Sequence, residues 1–158
     1  MSSEKPGAGV ANLGLIRPPL VYLGSIGLGL LVHFFWPVQF LPASISVPIG
    51  VMLVLGAVAL FISSVRTFKR AGTPVPGNQP TTTMVRAGPY GFSRNPIYLA
   101  FTLLQLGLAA WVNSLGMLLT LLPALALMAV VIAREERYLE ARFPSEYPQY
   151  RREVRRWL

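Results

Sequence analysis

Two long runs without a charged side chain constrain this sequence more than any other feature. The first covers 48 residues, Pro18 to Val65, and the second 39 residues, Asn95 to Ala133. A bilayer core takes about 20 apolar residues per helix, so each run is long enough for two spans and too long for one. The expectation is an all-α integral membrane protein of about four transmembrane helices, near residues 20–36, 47–65, 97–112 and 115–133. Composition agrees: 53% of the 158 residues are apolar, 13% are charged and none is Asp, whereas a globular chain carries roughly 25% charged residues. A single membrane domain accounts for this length.

The charges are sorted by the runs. Lys5 and Arg17 precede the first span, Arg66, Lys69, Arg70, Arg86 and Arg94 lie between the second and third, and the other seven arginines follow the fourth. Four spans put all three groups on one side and leave the two opposite connections uncharged. The positive-inside rule makes that side cytoplasmic, with both termini, in a bacterial-type inner (plasma) membrane. The net charge of +8 then suits anionic lipid headgroups, and nucleic acid is not an expected partner. With no cysteine and a single histidine, His33, a disulfide framework, a thiolate site and a multi-His metal site are excluded, and no metal is expected. His33 stands beside Phe34, Phe35 and Trp36 and reads as part of an interfacial aromatic belt. The first run has no small-x-small cleavage pattern at a convincing place, so it is expected to be a retained span.

Smaller features fill in the chain. Gly24, Gly27 and Gly29 allow another helix close to the first span. Residues 37–48 read as an uncharged turn. Three prolines and two glycines in residues 71–80 forbid regular structure, and residues 81–85 suit a short extended piece. Asn113 and Ser114 read as the tip of a helical hairpin. Pro123 is expected to bend the fourth span, and a helical pattern continues to Phe143, where Pro144 ends it.

Two polar segments, 66–96 and 134–158, share the charged face. The densest stretch, Arg86 to Tyr98, reads R-A-G-P-Y-G-F-S-R-N-P-I-Y. Gly88 and Pro89 make a turn that presents Tyr90 at a fixed angle. Pro96 suits the first turn of the third span, with Asn95 at the N-cap. The free N–H groups and partial positive charge there suit an anionic group such as a carboxylate. Glu135 and Glu136 stand at the end of the fourth span, where acids oppose the helix dipole and are costly beside the bilayer. They require a cationic partner. On these residues alone an interfacial entry turn with intrahelical pairing and a ligand site are both open.

The pattern T-T-x-V-x-x-G-P-Y-x-x-S-R-N-P-x-Y, followed after a hydrophobic hairpin by E-E-x-x-L-x-x-x-F-x-x-x-Y-x-x-Y, resembles the isoprenylcysteine carboxyl methyltransferase family, whose wider relatives include phospholipid N-methyltransferases. The resemblance covers residues 68–157. It implies an integral-membrane methyltransferase that uses S-adenosylmethionine (SAM) at the cytosolic face and takes a lipophilic or lipid substrate from the bilayer. By motif position, Thr82, Thr83, Met84, Val85, Tyr90, Asn95, Pro96, Ile97, Tyr98 and Glu135 would hold the cofactor. Arg94, Asn95 and Glu136 are the candidate catalytic residues, and Tyr147 and Tyr150 match the tail that closes over the pocket.

Residue chemistry is compatible with that implication. A glutamate suits the cofactor's amino or ribose groups, the helix start suits its carboxylate, and aromatic faces attract its sulfonium. Methyl transfer depends on in-line positioning and needs no protein nucleophile. Two positions depart from the family pattern. Asn95 stands where His is the commonest residue, and an amide does not titrate near neutral pH. Val131 stands where the prenylcysteine enzymes carry a substrate-contacting Arg. The acceptor therefore stays open between a prenylcysteine-like carboxylate, another small lipophilic molecule and a phospholipid amine. A non-catalytic protein that binds anionic lipid or a partner is the rival from another class. A transporter is disfavoured, because no span holds an acid, Lys or Arg and no internal repeat is evident.

Overall fold

The computed structural model describes residues 17–74 and 81–158. Lys5, the rest of the polar lead and residues 75–80 of the Pro/Gly-rich segment lie outside the described residues. Five helices follow in order: α1 (Pro18–Phe35), α2 (Ala43–Arg70), α3 (Pro96–Trp111), α4 (Leu115–Arg142) and α5 (Glu146–Glu153). A 3-10 turn, Gly88–Gly91, stands between α2 and α3. There is no strand among the described residues, so the expected extended piece at 81–85 is irregular backbone. Helices α1, α2 and α4 are long and apolar enough to cross a membrane, and α3 is a shorter apolar helix of 16 residues, about 24 Å at 1.5 Å per residue.

Prolines mark several helix starts. Pro18 and Pro19 occupy the first turn of α1 and Pro96 that of α3, where the missing N–H breaks no helical bond. Helix α2 starts earlier than expected. It begins at Ala43 after Pro42, which confines the uncharged turn to residues 36–42 and puts Pro48 inside the helix. Pro48 deprives only the Ser44 carbonyl, in the first turn, of its helical partner. At their other ends α2 and α4 run to Arg70 and Arg142, past the uncharged runs. The last nine residues of α4, 134–142, extend it by about 13 Å. Phe143 and Pro144 then end the helix, as their sequence suggests.

Helix α2 packs on α3, α1 packs on α4, and α3 also contacts α4 and α1. The α2–α3 contact is close because it is built on glycine. A Cβ on Gly107 would lie 2.8 Å from Val54 Cγ2, and one on Gly50 would run into the Trp111 backbone. Of the three glycines in α1, Gly29 alone is used in this way, against Met117; Gly24 and Gly27 have open space beside them. The outward faces are apolar, with Leu23, Met52, Leu55 and Leu122 among their exposed side chains.

The two ends of the bundle differ in chemistry. At the uncharged end Asn113 adopts φ 53°. Its Oδ1 accepts the N–H groups of Phe40 and Leu41 at 3.1 and 3.0 Å, and its Nδ2 donates to the Leu41 carbonyl at 2.8 Å. The α1–α2 connection is thereby tied to the α3–α4 turn. Ser114 caps α4 by accepting from Met117 N–H. Every charged residue that the structure describes lies at or beyond the opposite end.

Asn113 supplies both the left-handed backbone and three hydrogen bonds. Net hydrogen bonds contribute about 1 kcal/mol each, and a left-handed non-glycine residue costs about 1 kcal/mol more where no local bond compensates. Asn113→Gly is expected to lower unfolding stability by about 3 kcal/mol and Asn113→Ala by more. Thermal unfolding in detergent measures both; wild-type melting of Asn113→Ala would contradict the clamp.

Candidate functional site

A cleft at the charged end lies between the start of α3, the end of α4 and the C-terminal tail. Local sequence explains how each wall is placed. Gly88 has φ 58°, and a Cβ there would meet Thr67 Oγ1 at 2.9 Å, so the turn needs glycine for both conformation and space. That turn seats Tyr90 edge-on against Phe68 of α2, with ring centroids 4.9 Å apart. Asn95 occupies the N-cap position of α3, but its side chain does not cap the helix. Its Nδ2 donates instead to the Arg156 carbonyl at 3.0 Å. Among the described residues, the first-turn N–H groups of α3 therefore receive no side-chain cap.

The two adjacent glutamates have different surroundings, because successive helical residues point about 100° apart. Glu136 is buried and held by two guanidinium groups. Arg94 Nη2 lies 2.9 Å from its Oε1, and Arg156 donates through Nη2 to Oε2 at 2.6 Å and through Nε to Oε1 at 3.2 Å. Glu135 lines the cleft and, among the described residues, accepts one hydrogen bond, from the Tyr98 hydroxyl at 2.9 Å. Burial raises its carboxyl pKa above the ordinary 4.5, and the neighbouring Glu136 charge adds to the rise; the Tyr98 bond opposes it. The Arg94 side chain is also buried, and its Nε has no partner among the described residues.

The tail closes the third side. Tyr147 and Tyr150 of α5 and Val154 after it form one buried face at helical spacing. The Tyr150 hydroxyl donates to the Tyr90 carbonyl at 2.7 Å, and the Arg94 N–H donates to the Arg155 carbonyl at 2.9 Å. Arg86 donates to the Glu146 carbonyl at 2.6 Å and lies over the Tyr150 ring. Burial pushes the Tyr150 hydroxyl up to about 12, with Arg94 and Arg86 opposing. Tyr90 and Tyr147 are raised further, again chiefly by burial. All three are neutral phenols at physiological pH.

Much of the expected site is gathered here. Met84, Val85, Tyr90, Arg94, Asn95, Glu135 and Glu136 line the cleft, and Tyr98 reaches it through Glu135. Thr82 and Thr83 are exposed, and Thr82 is turned to Thr73, which accepts its N–H at 3.0 Å. Thr81 stands at the cleft in their place. Pro96 and Ile97 form the helix start without lining it. Phe68 and Leu139 also line the cleft and were not anticipated. Leu139 lies four residues after Glu135, and helical periodicity alone points to it.

Comparisons with known proteins bear on this site. The family model described as phospholipid methyltransferase matches residues 45–146. An uncharacterised protein of Haemophilus influenzae is 43% identical over 63 residues, which are 39% of this chain and the whole of that relative. The cobalt-zinc-cadmium resistance protein CzcN of Cupriavidus metallidurans is 42% identical over 71 residues, 44% of this chain and 32% of that relative. The chain thus spans about a third of CzcN's length. No solved structure matches significantly.

Glu136 neutralises a buried arginine and holds the tail, so removing its charge acts on both. Breaking a buried ion pair costs about 3–5 kcal/mol. Glu136→Gln is expected to lower stability on that scale and to speed amide exchange across residues 146–156. Exchange in the tail at the wild-type rate would show that the ion pair does not hold it.

Proposed function

The chain belongs to the phospholipid methyltransferase family of integral-membrane methyltransferases, and from that premise we propose that it moves a methyl group from SAM to a lipophilic acceptor drawn from the bilayer. One observation carries this reading: Glu135 and Arg94 line the same aromatic-lined cleft beside the apolar spans, and among the described residues the Glu135 carboxylate and the Arg94 Nε keep unused hydrogen-bonding capacity. Unpaired polar groups are costly this close to a bilayer, and an amphoteric ligand satisfies both. SAM supplies an electrophilic methyl carbon on a sulfonium.

The chain's own residues bind and orient. Glu135 accepts from amino or hydroxyl groups, with Tyr98 fixing the carboxylate's direction. Arg94 Nε and the uncapped N–H groups at the start of α3 receive a carboxylate. Tyr90, Phe68 and Tyr147 offer aromatic faces to a cation and to an adenine ring. Glu136 works at a distance, through the tail it anchors, and Asn95 shares that work through its bond to Arg156. Loading the cleft requires the tail to lift, and its closure excludes water.

An amine acceptor, such as a phospholipid headgroup, is the second reading. Arg94, the one cation among the described residues lining the cleft, is already paired with Glu136, as is Arg156 behind it, and the buried residue at position 131 is an apolar Val. A carboxylate acceptor finds no free cation there. The distribution of charge supports a site on the cytoplasmic side of an inner membrane.

Calorimetry with S-adenosylhomocysteine (SAH) tests cofactor use in intact protein. Glu135→Ala and Tyr98→Phe are each expected to weaken binding about tenfold, equivalent to one charged hydrogen bond of about 1.4 kcal/mol. Affinity is full while Glu135 is ionised and falls as pH drops through its raised pKa, so the loss begins above the ordinary carboxylate range. Wild-type protein that is folded and binds no SAH would refute cofactor use. Membranes incubated with methyl-labelled SAM then reveal the acceptor: label on an amine lipid supports the second reading, and label released by mild base identifies a carboxyl ester.

A further inference from the structure

Helix α1 lies outside the matched residues 45–146, yet it is joined to α3 and α4 by a seam of hydrogen bonds inside the apolar bundle. We propose that Tyr22 of α1 is a positioning residue for the cofactor site: its hydroxyl fixes the first turn of α3 and so holds Tyr98 against Glu135. This rests on the reading of Glu135, oriented by Tyr98, as a cofactor contact.

The hydrogen-bond directions follow from the proton count. Thr102 Oγ1 donates to the Tyr98 carbonyl at 2.9 Å, which uses its only proton. In the 2.8 Å contact between Tyr22 OH and Thr102 Oγ1, Tyr22 is therefore the donor. The same hydroxyl lies 3.5 Å from the Tyr98 carbonyl. The Thr102 hydroxyl thus bonds the backbone of the residue whose side chain reaches Glu135, and the Tyr22 hydroxyl holds Thr102 in that position. Tyr22 is 2% exposed, and its ring stacks on Phe101 with centroids 5.5 Å apart. Where no water is at hand, a buried hydroxyl that loses its partner is costly, so the geometry of this turn is narrowly determined.

A second group of bonds docks α1 independently. Ser25 Oγ donates to the Thr120 carbonyl at 2.8 Å, Thr120 Oγ1 donates to the Ser25 carbonyl at 3.0 Å, and Gln105 Nε2 donates to Ser25 Oγ at 2.7 Å. Tyr22→Phe removes the donor while keeping the ring, its stacking and these bonds. The helix stays docked, and the effect at the site is separable from loss of α1.

A double-mutant cycle in SAH affinity tests the proposal with wild type, Tyr22→Phe, Tyr98→Phe and the double variant. Tyr22→Phe is expected to weaken binding about three- to tenfold, the range of one net hydrogen bond, with no further loss on the Tyr98→Phe background. Additive losses would overturn the proposal, because Tyr22 would then act apart from Tyr98. Ser25→Ala is expected to lower the melting temperature and leave SAH affinity unchanged; an equal loss of affinity would assign the effect to helix docking and also overturn it. A ligand-free readout separates this idea from cofactor use. The infrared carboxyl band of Glu135, isolated by subtracting the Glu135→Gln spectrum, is expected to shift in Tyr22→Phe. An unchanged band overturns the proposal. A shifted band in a protein that binds no SAH removes the cofactor reading and leaves the positioning of Tyr98 by Tyr22 established.

Discussion

The charged end of this molecule depends on one buried carboxylate. Glu136 is clasped by Arg94, from just before α3, and by Arg156, from the end of the tail. An acid at the C-terminal end of a helix and beside a bilayer is unfavourable in isolation. The two guanidinium groups reverse that balance and join three segments distant in sequence. Once they meet, the Arg155 and Arg156 carbonyls fall within reach of the Arg94 N–H and the Asn95 amide. Tyr150 comes to lie against Tyr90. The cleft is what remains between these fixed parts, and Glu135 is the acid left facing it.

The membrane imposes the complementary constraint. Within the apolar runs polar side chains are few, and those between helices are hydrogen-bonded in sets: Tyr22 with Thr102, and Ser25 with Gln105 and Thr120. A lone hydroxyl would not select one arrangement of apolar helices, whereas a satisfied group specifies which faces meet and in what register. Glycine does the same work through distance, bringing α2 and α3 together at Gly50 and Gly107. Rigid helices below thus carry a polar site above, whose own contacts are mostly with the tail.

Most of this fold is legible in the sequence, because a bilayer turns charge distribution into architecture. The uncharged runs locate the helices, and the prolines and Asn113–Ser114 mark many of their limits. The start of α2 is misread because Pro48 looks like a turn residue, although a proline near a helix start deprives only a first-turn carbonyl. The motif residues Tyr90, Glu135 and Glu136 line one cleft. Sequence does not say which glutamate is free: that depends on Arg156, twenty residues away, and on a tail whose short helix has no hydrophobic run to announce it. Nor does it separate Thr81 from Thr82 and Thr83, because in irregular backbone no periodicity says which side chain turns inward.

The central claim is that the cleft between Arg94 and Glu135 holds the methyl donor. An experimental structure of the protein with bound SAH tests it most directly. The account predicts the ligand's carboxylate beside Arg94 Nε and the start of α3, an amino or hydroxyl group on Glu135, and the tail closed over it by the Glu136 ion pair. Ligand bound elsewhere on the molecule, with the Tyr98–Glu135 pair and Arg94 Nε untouched, would contradict it.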